Sequence, residues 1–224
     1  LRTTGVSESK LFDLIGTRKK IDKNKIGYYP STYGVDIKIS NGDSEEINLF
    51  VDWMYENFRN HIYGENDTNI ENKIVKYCIK QRKKLATAES CTGGLIGDRI
   101  TNVAGSSEIF KGGLIVYSNE SKIKNLGVDE GVLNQFGSVS KDTAKKMAEN
   151  VKSMFNSSFG LSVTGIAGPS GGTKEKPVGL VYIGLASDRS TIVKKFNFTK
   201  DRKINKIKTS QAALNILREE LLNE

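Results

Sequence analysis

Residues 85–94 read LATAESCTGG, and the fold turns on that stretch. LATA is a short apolar run of strand length. It ends in Glu89-Ser90-Cys91-Thr92, and Gly93 and Gly94 follow at once. The apolar spacing then becomes helical over 94–103, with Leu95, Ile96, Ile100 and Val103 as the repeating positions. A strand, a tight polar turn and a helix make one α/β unit. The row of hydroxyl, thiol and hydroxyl supports two readings. Ser and Thr cap helix N-termini because their oxygens accept from orphan backbone N–H groups. A nucleophile held at a helix N-terminus would also find N–H groups able to stabilise an oxyanion. The stretch alone leaves both open.

Outward from this turn, the pattern repeats. Upstream, Thr68-Asn69-Ile70-Glu71 fits a capping box for a helix over 69–82, with Ile70, Ile74, Tyr77 and Cys78 inward. Downstream, GGLIVYS (112–118) reads as a strand. VSKDTAKKMAENVKSMF (139–155) reads as a helix with Ala144, Met147, Val151 and Met154 on one face. GLSVTG (160–165), VGLVYIGLA (178–186) and TIVKKFNF (191–198) read as strands, the last two joined by a turn at Ser187–Ser190. A final helix runs from Asp201 to Leu222. This order predicts a three-layer α/β/α sandwich with a mixed, mostly parallel five-stranded sheet. Residues 1–66 form a separate small α/β domain. Its pieces are a helix at ESKLFDLI, a strand at 35–40, and an amphipathic helix at 44–62 with Ile47, Val51, Met54, Phe58 and Ile62 on one stripe. The boundary falls at HIYGENDTN, so the second domain spans 67–224.

Composition narrows the classes. The 224 residues are 37% hydrophobic and 27% charged, as in a globular protein. No run of apolar residues is long enough to span a membrane, and no signal peptide is visible. The chain begins at Leu1 rather than Met, which suggests a piece of a longer product or a processed one. Cys78 and Cys91 have neither zinc-knuckle nor disulfide-framework spacing, so a reducing cytoplasm is expected. The net charge is +8, concentrated in KNK, KQRKK and KDRKINKIK, and it favours anionic partners.

In open α/β sheets, ligands sit beyond the C-terminal ends of the strands. Those ends carry Glu89–Gly94, then Tyr117-Ser118-Asn119-Glu120-Ser121-Lys122, then Thr164–Gly172. No dinucleotide fingerprint or P-loop occurs. The one histidine, His61, lies before the domain boundary, which excludes a Ser-His-Asp triad in 67–224. If Ser90 is the nucleophile, its base is another residue, and Lys122 is the candidate, because Ser–Lys pairs follow the same logic. Its pKa would have to be depressed. Tyr117 could orient the lysine, relay a proton or donate to an oxyanion. Cys91 is the rival nucleophile, since helix N-termini lower thiol pKa. Arg202 begins the last helix, where a cation opposes the macrodipole and implies an anion beside it. Thr92, Gly93 and Gly94, with Thr164, Gly165, Ala167 and Gly168, are candidate substrate contacts at the same strand ends. No His/Cys/carboxylate cluster with ligand spacing occurs in 68–224, so no metal or other cofactor is expected.

Together AESCTGG, GSSEIFKGGLIVYSNESK, FGSVS, TGIAGPSGGTKEKPVG and the late Asp201-Arg202 resemble the nicotinamide mononucleotide (NMN) deamidase domain of the CinA competence/damage-inducible family. LRTTGVSES, YYPSTYGVDIKIS and HIYG resemble its small KH-type middle domain. The resemblance implies hydrolysis of the NMN carboxamide to nicotinic acid mononucleotide and ammonia, without metal. It implies Ser90 as nucleophile, Tyr117 and Lys122 as tyrosine and base, and Arg202 as a substrate contact. A homodimer, no membrane and a cytoplasmic place in pyridine-nucleotide salvage go with it. Two other classes stay open: a basic nucleic-acid-binding module and a scaffold. Against the first, residues 1–64 contain no GXXG loop, and aromatics for stacking are thin apart from Tyr28, Tyr29 and Tyr33.

Overall fold

A computed structural model of the chain describes residues 1–16 and 25–223, so most of the KNK run lies outside the described residues. The chain forms two compact units, Leu1–Lys73 and Ile74–Glu224. The division falls within a helix, whereas the sequence places the boundary at 66/67.

The first unit carries strands β1 (Arg2–Thr3), β2 (Ile26–Pro30), β3 (Val35–Ile39) and β4 (Ile62–Gly64), ordered β2-β3-β1-β4. All pairings are antiparallel. Helices α1 (Glu8–Gly16) and α2 (Ser44–Phe58) supply its core: Leu11 and Ile15 from one, Phe50, Met54 and Phe58 from the other, against Val35, Ile37 and Ile62. Asp43 caps α2 by accepting from the Glu46 N–H at 2.7 Å. The expected helix over 44–62 is too long. It stops at Phe58, because Thr3 pairs with Ile62 and the Thr4 N–H takes the His61 carbonyl at 2.8 Å. Ile62 therefore reaches the core from a strand, and Phe50 takes its place on the helical stripe. His61 is packed with Nδ1 3.2 Å from the Thr4 carbonyl.

α3 (Ile70–Gln81) crosses the division. The expected Thr68/Glu71 box shifts by one residue: the Asn69 N–H donates to Asn72 Oδ1 at 3.2 Å.

The second unit contains β5 (Leu85–Glu89), α4 (Leu95–Thr101), a 3₁₀ turn (Ser106–Glu108), β6 (Phe110–Ile115) and α5 (Asn119–Leu126). Then follow α6 (Glu130–Phe136), α7 (Lys141–Met154), β7 (Phe159–Gly165), β8 (Leu180–Ala186), β9 (Thr191–Asn197) and α8 (Arg202–Asn223). Sheet order is β6-β5-β7-β8-β9. β6, β5 and β7 are parallel, and β8 and β9 are added antiparallel, so four of the five strands run the same way. The expected mixed sheet with helices on both faces is what forms. β5 is buried at every position, which is why it reads as a continuous apolar run. Ala86 and Ala88 meet Met147 and Val151 of α7 together with Leu126 and Leu133. Across the sheet α4 and α8 are joined by buried Arg99, which donates to Ser210 Oγ at 2.9 Å and to Gln211 Oε1 at 2.8 Å.

Two expectations fail locally, and two helices go unread. The strand at 112–118 is in fact Phe110–Ile115, and Ser118 caps α5 instead. α5 and α6 lack a long apolar stripe and give no periodic signal. Met154 is 53% exposed, because it ends α7 beyond the sheet.

Gly160 lets α7 lie directly on β7. A Cβ there would sit 2.7 Å from Lys152 Cβ and 2.8 Å from the Lys152 backbone nitrogen. Gly160→Ala is expected to cost about 1–3 kcal/mol by overpacking, read as a lower urea midpoint with an unchanged slope. An unchanged midpoint would show that the helix can move aside.

Candidate active site

The aligned ends of three parallel strands build the site. Register sets Glu89 beside Ile115 on one flank and Val163 on the other. The Ser90 N–H donates to the Val163 carbonyl at 3.1 Å, and the Val116 N–H to the Glu89 carbonyl at 2.8 Å. Ser90, Tyr117 and Thr164 are thereby neighbours, although far apart in sequence.

Lys122 is on a helix, not in a loop. Ser118 Oγ caps α5 by accepting from the Ser121 N–H at 3.0 Å, which places Lys122 in its first turn. Helical side chains lean toward the N-terminus. The Lys122 stem therefore runs back under its own helix start. Nζ donates to the Val116 carbonyl at 2.9 Å and the Tyr117 carbonyl at 3.2 Å, and lies 3.2 Å from Ser90 Oγ. Lys122 is only 1% exposed and Ser90 7%. Burial lowers the Lys122 pKa from its ordinary value, because a charged ammonium loses hydration there. The two carbonyls can only accept. A neutral amine, with two N–H groups and one lone pair, would spend both hydrogens on them and turn its lone pair to the serine hydroxyl.

Cys91 lines the same cleft, but burial pushes its thiol up to about 12, with Glu89 adding to the rise. That is the opposite of an activated thiolate.

The sequence reading missed Glu89. Its buried carboxylate accepts from the backbone N–H groups of Gly94 (3.0 Å), Ile96 (3.1 Å) and Gly97 (2.9 Å). It acts as the missing side-chain cap of α4, whose N-cap residue is Gly94. These three N–H groups are therefore not free for an oxyanion. The spacing of Glu89 to residues 94–97 resembles no standard cap, so only the three-dimensional turn exposes this role.

Arg202 closes the site from α8. Nη1 donates to the Gly168 carbonyl at 2.9 Å and Nη2 to the Tyr117 hydroxyl at 2.8 Å. Asp201 Oδ1 caps this helix by accepting from the Ile204 N–H at 2.8 Å. Buried Asn205, also unforeseen, donates to the carbonyls of Ala167 and Thr199, each at 2.9 Å, and fastens the Gly-rich loop to α8.

The result is an open cleft lined by Ser90, Cys91, Tyr117, Lys122, Thr164, Gly165, Ala167 and Arg202, with Ser138 and Val139 added from the turn before α7. Thr164 Oγ1 donates to the Ser138 carbonyl at 2.6 Å and fixes that turn. Thr92, Gly93, Gly94 and Gly168 do not line it. Thr92 is buried and its Oγ1 has no partner among the described residues; the Gly94 N–H is taken by Glu89; Gly168 contributes its carbonyl to Arg202. Among the described residues no group of three or more His, Cys, Asp or Glu could hold a metal ion, and no helix is long and apolar enough to cross a membrane.

Comparison with known proteins agrees with this architecture. The CinA C-terminal domain family matches residues 67–221, and the chain belongs to the CinA family. The match leaves the KH-type likeness of residues 1–66 outside it. A Clostridium perfringens (strain SM101 / Type A) protein whose name carries the competence-damage inducible designation is 40% identical over 227 residues, covering 99% of this chain and 55% of its own. The CinA-like protein of Endomicrobium trichonymphae is 40% identical over 239 residues, with the same coverage of 99% and 55%. The chain thus spans about half the length of these curated relatives. The crystal structure of the competence/damage inducible protein CihA from Agrobacterium tumefaciens is similar at a TM-score of 0.65 and 34% identity, over 72% of this chain and 100% of that one.

Glu89→Gln replaces one accepting oxygen by an NH₂ that faces backbone donors. The variant is expected to lose at least about 1.5 kcal/mol of stability, read from its unfolding midpoint. Wild-type stability in Glu89→Gln would mean that the three contacts are dispensable.

Proposed function

We propose that this chain is a serine amidase of the NMN deamidase type, converting the NMN carboxamide to a carboxylate with release of ammonia. The observation that carries the reading is the buried Lys122 amine 3.2 Å from Ser90 Oγ, with two carbonyls occupying its hydrogens. Ser90 Oγ attacks the amide carbon while Lys122 Nζ takes its proton. Lys122 returns that proton to the departing nitrogen, and ammonia leaves an acyl ester on Ser90. Water, deprotonated by the same amine, cleaves the ester to nicotinic acid mononucleotide. Because Glu89 takes the Gly94, Ile96 and Gly97 N–H groups, the oxyanion falls to other donors. The Tyr117 hydroxyl is well placed: it accepts from Arg202 and keeps its own hydrogen to donate. Arg202 braces Tyr117 and the Gly168 loop at the same time. Gly165 and Ala167 supply backbone at the opposite wall, and Val139 gives the pyridine ring an apolar face. A nucleic-acid-binding module would release no ammonia from NMN, and its binding to single strands would weaken steeply with salt.

Ser90→Ala is expected to lose at least about a thousandfold in kcat while remaining folded, and Cys91→Ala to keep most of its activity. An inactive Cys91→Ala with an active Ser90→Ala would reverse the assignment.

The lowered Lys122 pKa sets the sign of the pH dependence. The neutral amine is the working form, so kcat/KM rises with pH and levels off below the ordinary lysine value of 10.5. Lys122→Arg keeps a cation but accepts no proton near neutrality, and it is expected to be as inactive as Lys122→Ala. Near-normal turnover by Lys122→Arg would remove the lysine from the base role.

A further inference from the structure

We infer that Lys206 is an anion contact beside the cleft, which holds the phosphate of a phosphorylated substrate while Ser90 faces the amide; the inference rests on the amidase reading above. Lys206 lies one turn after Arg202 on α8, so both project from the same side of that helix. Its Nζ is 3.7 Å from the point a Cβ on Gly93 would occupy. Gly93 has φ +63°, and its N–H donates to the Ser90 carbonyl at 3.1 Å, closing a tight turn. The Lys206 ammonium thus stands next to the nucleophile's own turn, opposite a residue with no side chain to fill the space. Lys206 is half-buried, and its Nζ has no hydrogen-bond or ion-pair partner among the described residues. An ammonium with no protein acceptor keeps all its donors for an anion or water.

The surrounding charges sharpen the point. The Glu89 carboxylate is spent on three backbone N–H groups, and Asp201 on the start of α8. Neither neutralises the cations Arg202 and Lys206. Arg202 has both terminal nitrogens engaged, one by Gly168 and one by Tyr117, so it is poorly disposed to grip a phosphate in a fork. A lysine ammonium serves as a point charge and needs no fixed geometry. In a nicotinamide nucleotide, one pyridine ring and one ribose separate the amide carbon from the phosphorus. The ligand class is therefore a phosphomonoester dianion on a ribose.

The test compares wild type with Lys206→Met, which keeps most of the apolar stem, and with Lys206→Arg. Three quantities are measured: kcat/KM for NMN, kcat/KM for nicotinamide riboside, and the Kd of ribose 5-phosphate by calorimetry. Lys206→Met is expected to lose at least about tenfold on NMN and at least about tenfold in ribose 5-phosphate affinity. Its loss on the riboside is expected to be several-fold smaller, and Lys206→Arg to recover most of both. Arg202→Ala, by contrast, should lower both substrates alike. Equal losses on NMN and riboside in Lys206→Met, or ribose 5-phosphate binding that is absent from wild type or unchanged in Lys206→Met, would overturn the assignment. If wild type binds ribose 5-phosphate through Lys206 yet releases no ammonia from NMN, the amidase reading falls and the anion site stands.

Discussion

Lys122 is an amine held in a place with almost no water. Its neighbours are two backbone carbonyls and one hydroxyl, and no carboxylate hydrogen-bonds to its Nζ among the described residues. Burying a charged ammonium under those conditions is costly, and the cost falls when the amine is neutral. Much of the second unit serves to make that placement unavoidable. Ser118 starts α5 at the right residue, the lean of helical side chains brings Nζ back to 116 and 117, and the parallel register sets Ser90 alongside.

The turn carrying Ser90 depends on a buried carboxyl group. Glu89 satisfies three backbone donors that would otherwise be orphaned at the start of α4. It thereby fixes the chain directly before Ser90 and occupies three N–H groups at the start of α4. Closure from the far end of the chain completes the site. Arg202 and Asn205 tie Tyr117, Ala167 and Gly168 to α8, so residues separated by as many as 85 positions share one wall.

The central strands were legible because burial on both faces leaves continuous apolar runs such as LATA and GLSVTG. Loop position relative to the strand ends then picked out Ser90, Tyr117, Lys122 and Thr164, and a cation at a helix start picked out Arg202; all five line the cleft. What stayed hidden has a common cause. α5, with the sequence NESKIKNL, buries only Lys122 and Leu126, so its periodicity is too sparse to read, and Lys122 looked like a loop residue. Glu89 and Asn205 are polar side chains whose partners are backbone groups, and sequence carries no trace of which backbone groups those are. Thr92 went the other way: a hydroxyl next to the nucleophile suggested substrate, yet it is buried outside the cleft. At the start of the chain, Ile62 continued a helical stripe by spacing alone, and strand pairing with Thr3 overrode it.

The central claim is a covalent one: Ser90 carries the acyl group while the Lys122 amine carries its proton. Acid quenching during turnover of NMN, followed by intact-mass measurement and peptide mapping, examines it directly. The account expects a mass increase equal to NMN less ammonia, located on Ser90 and growing with pH below the lysine plateau. The same adduct on the Cys91 thiol, or a burst of ammonia while Ser90 stays unmodified, would contradict it.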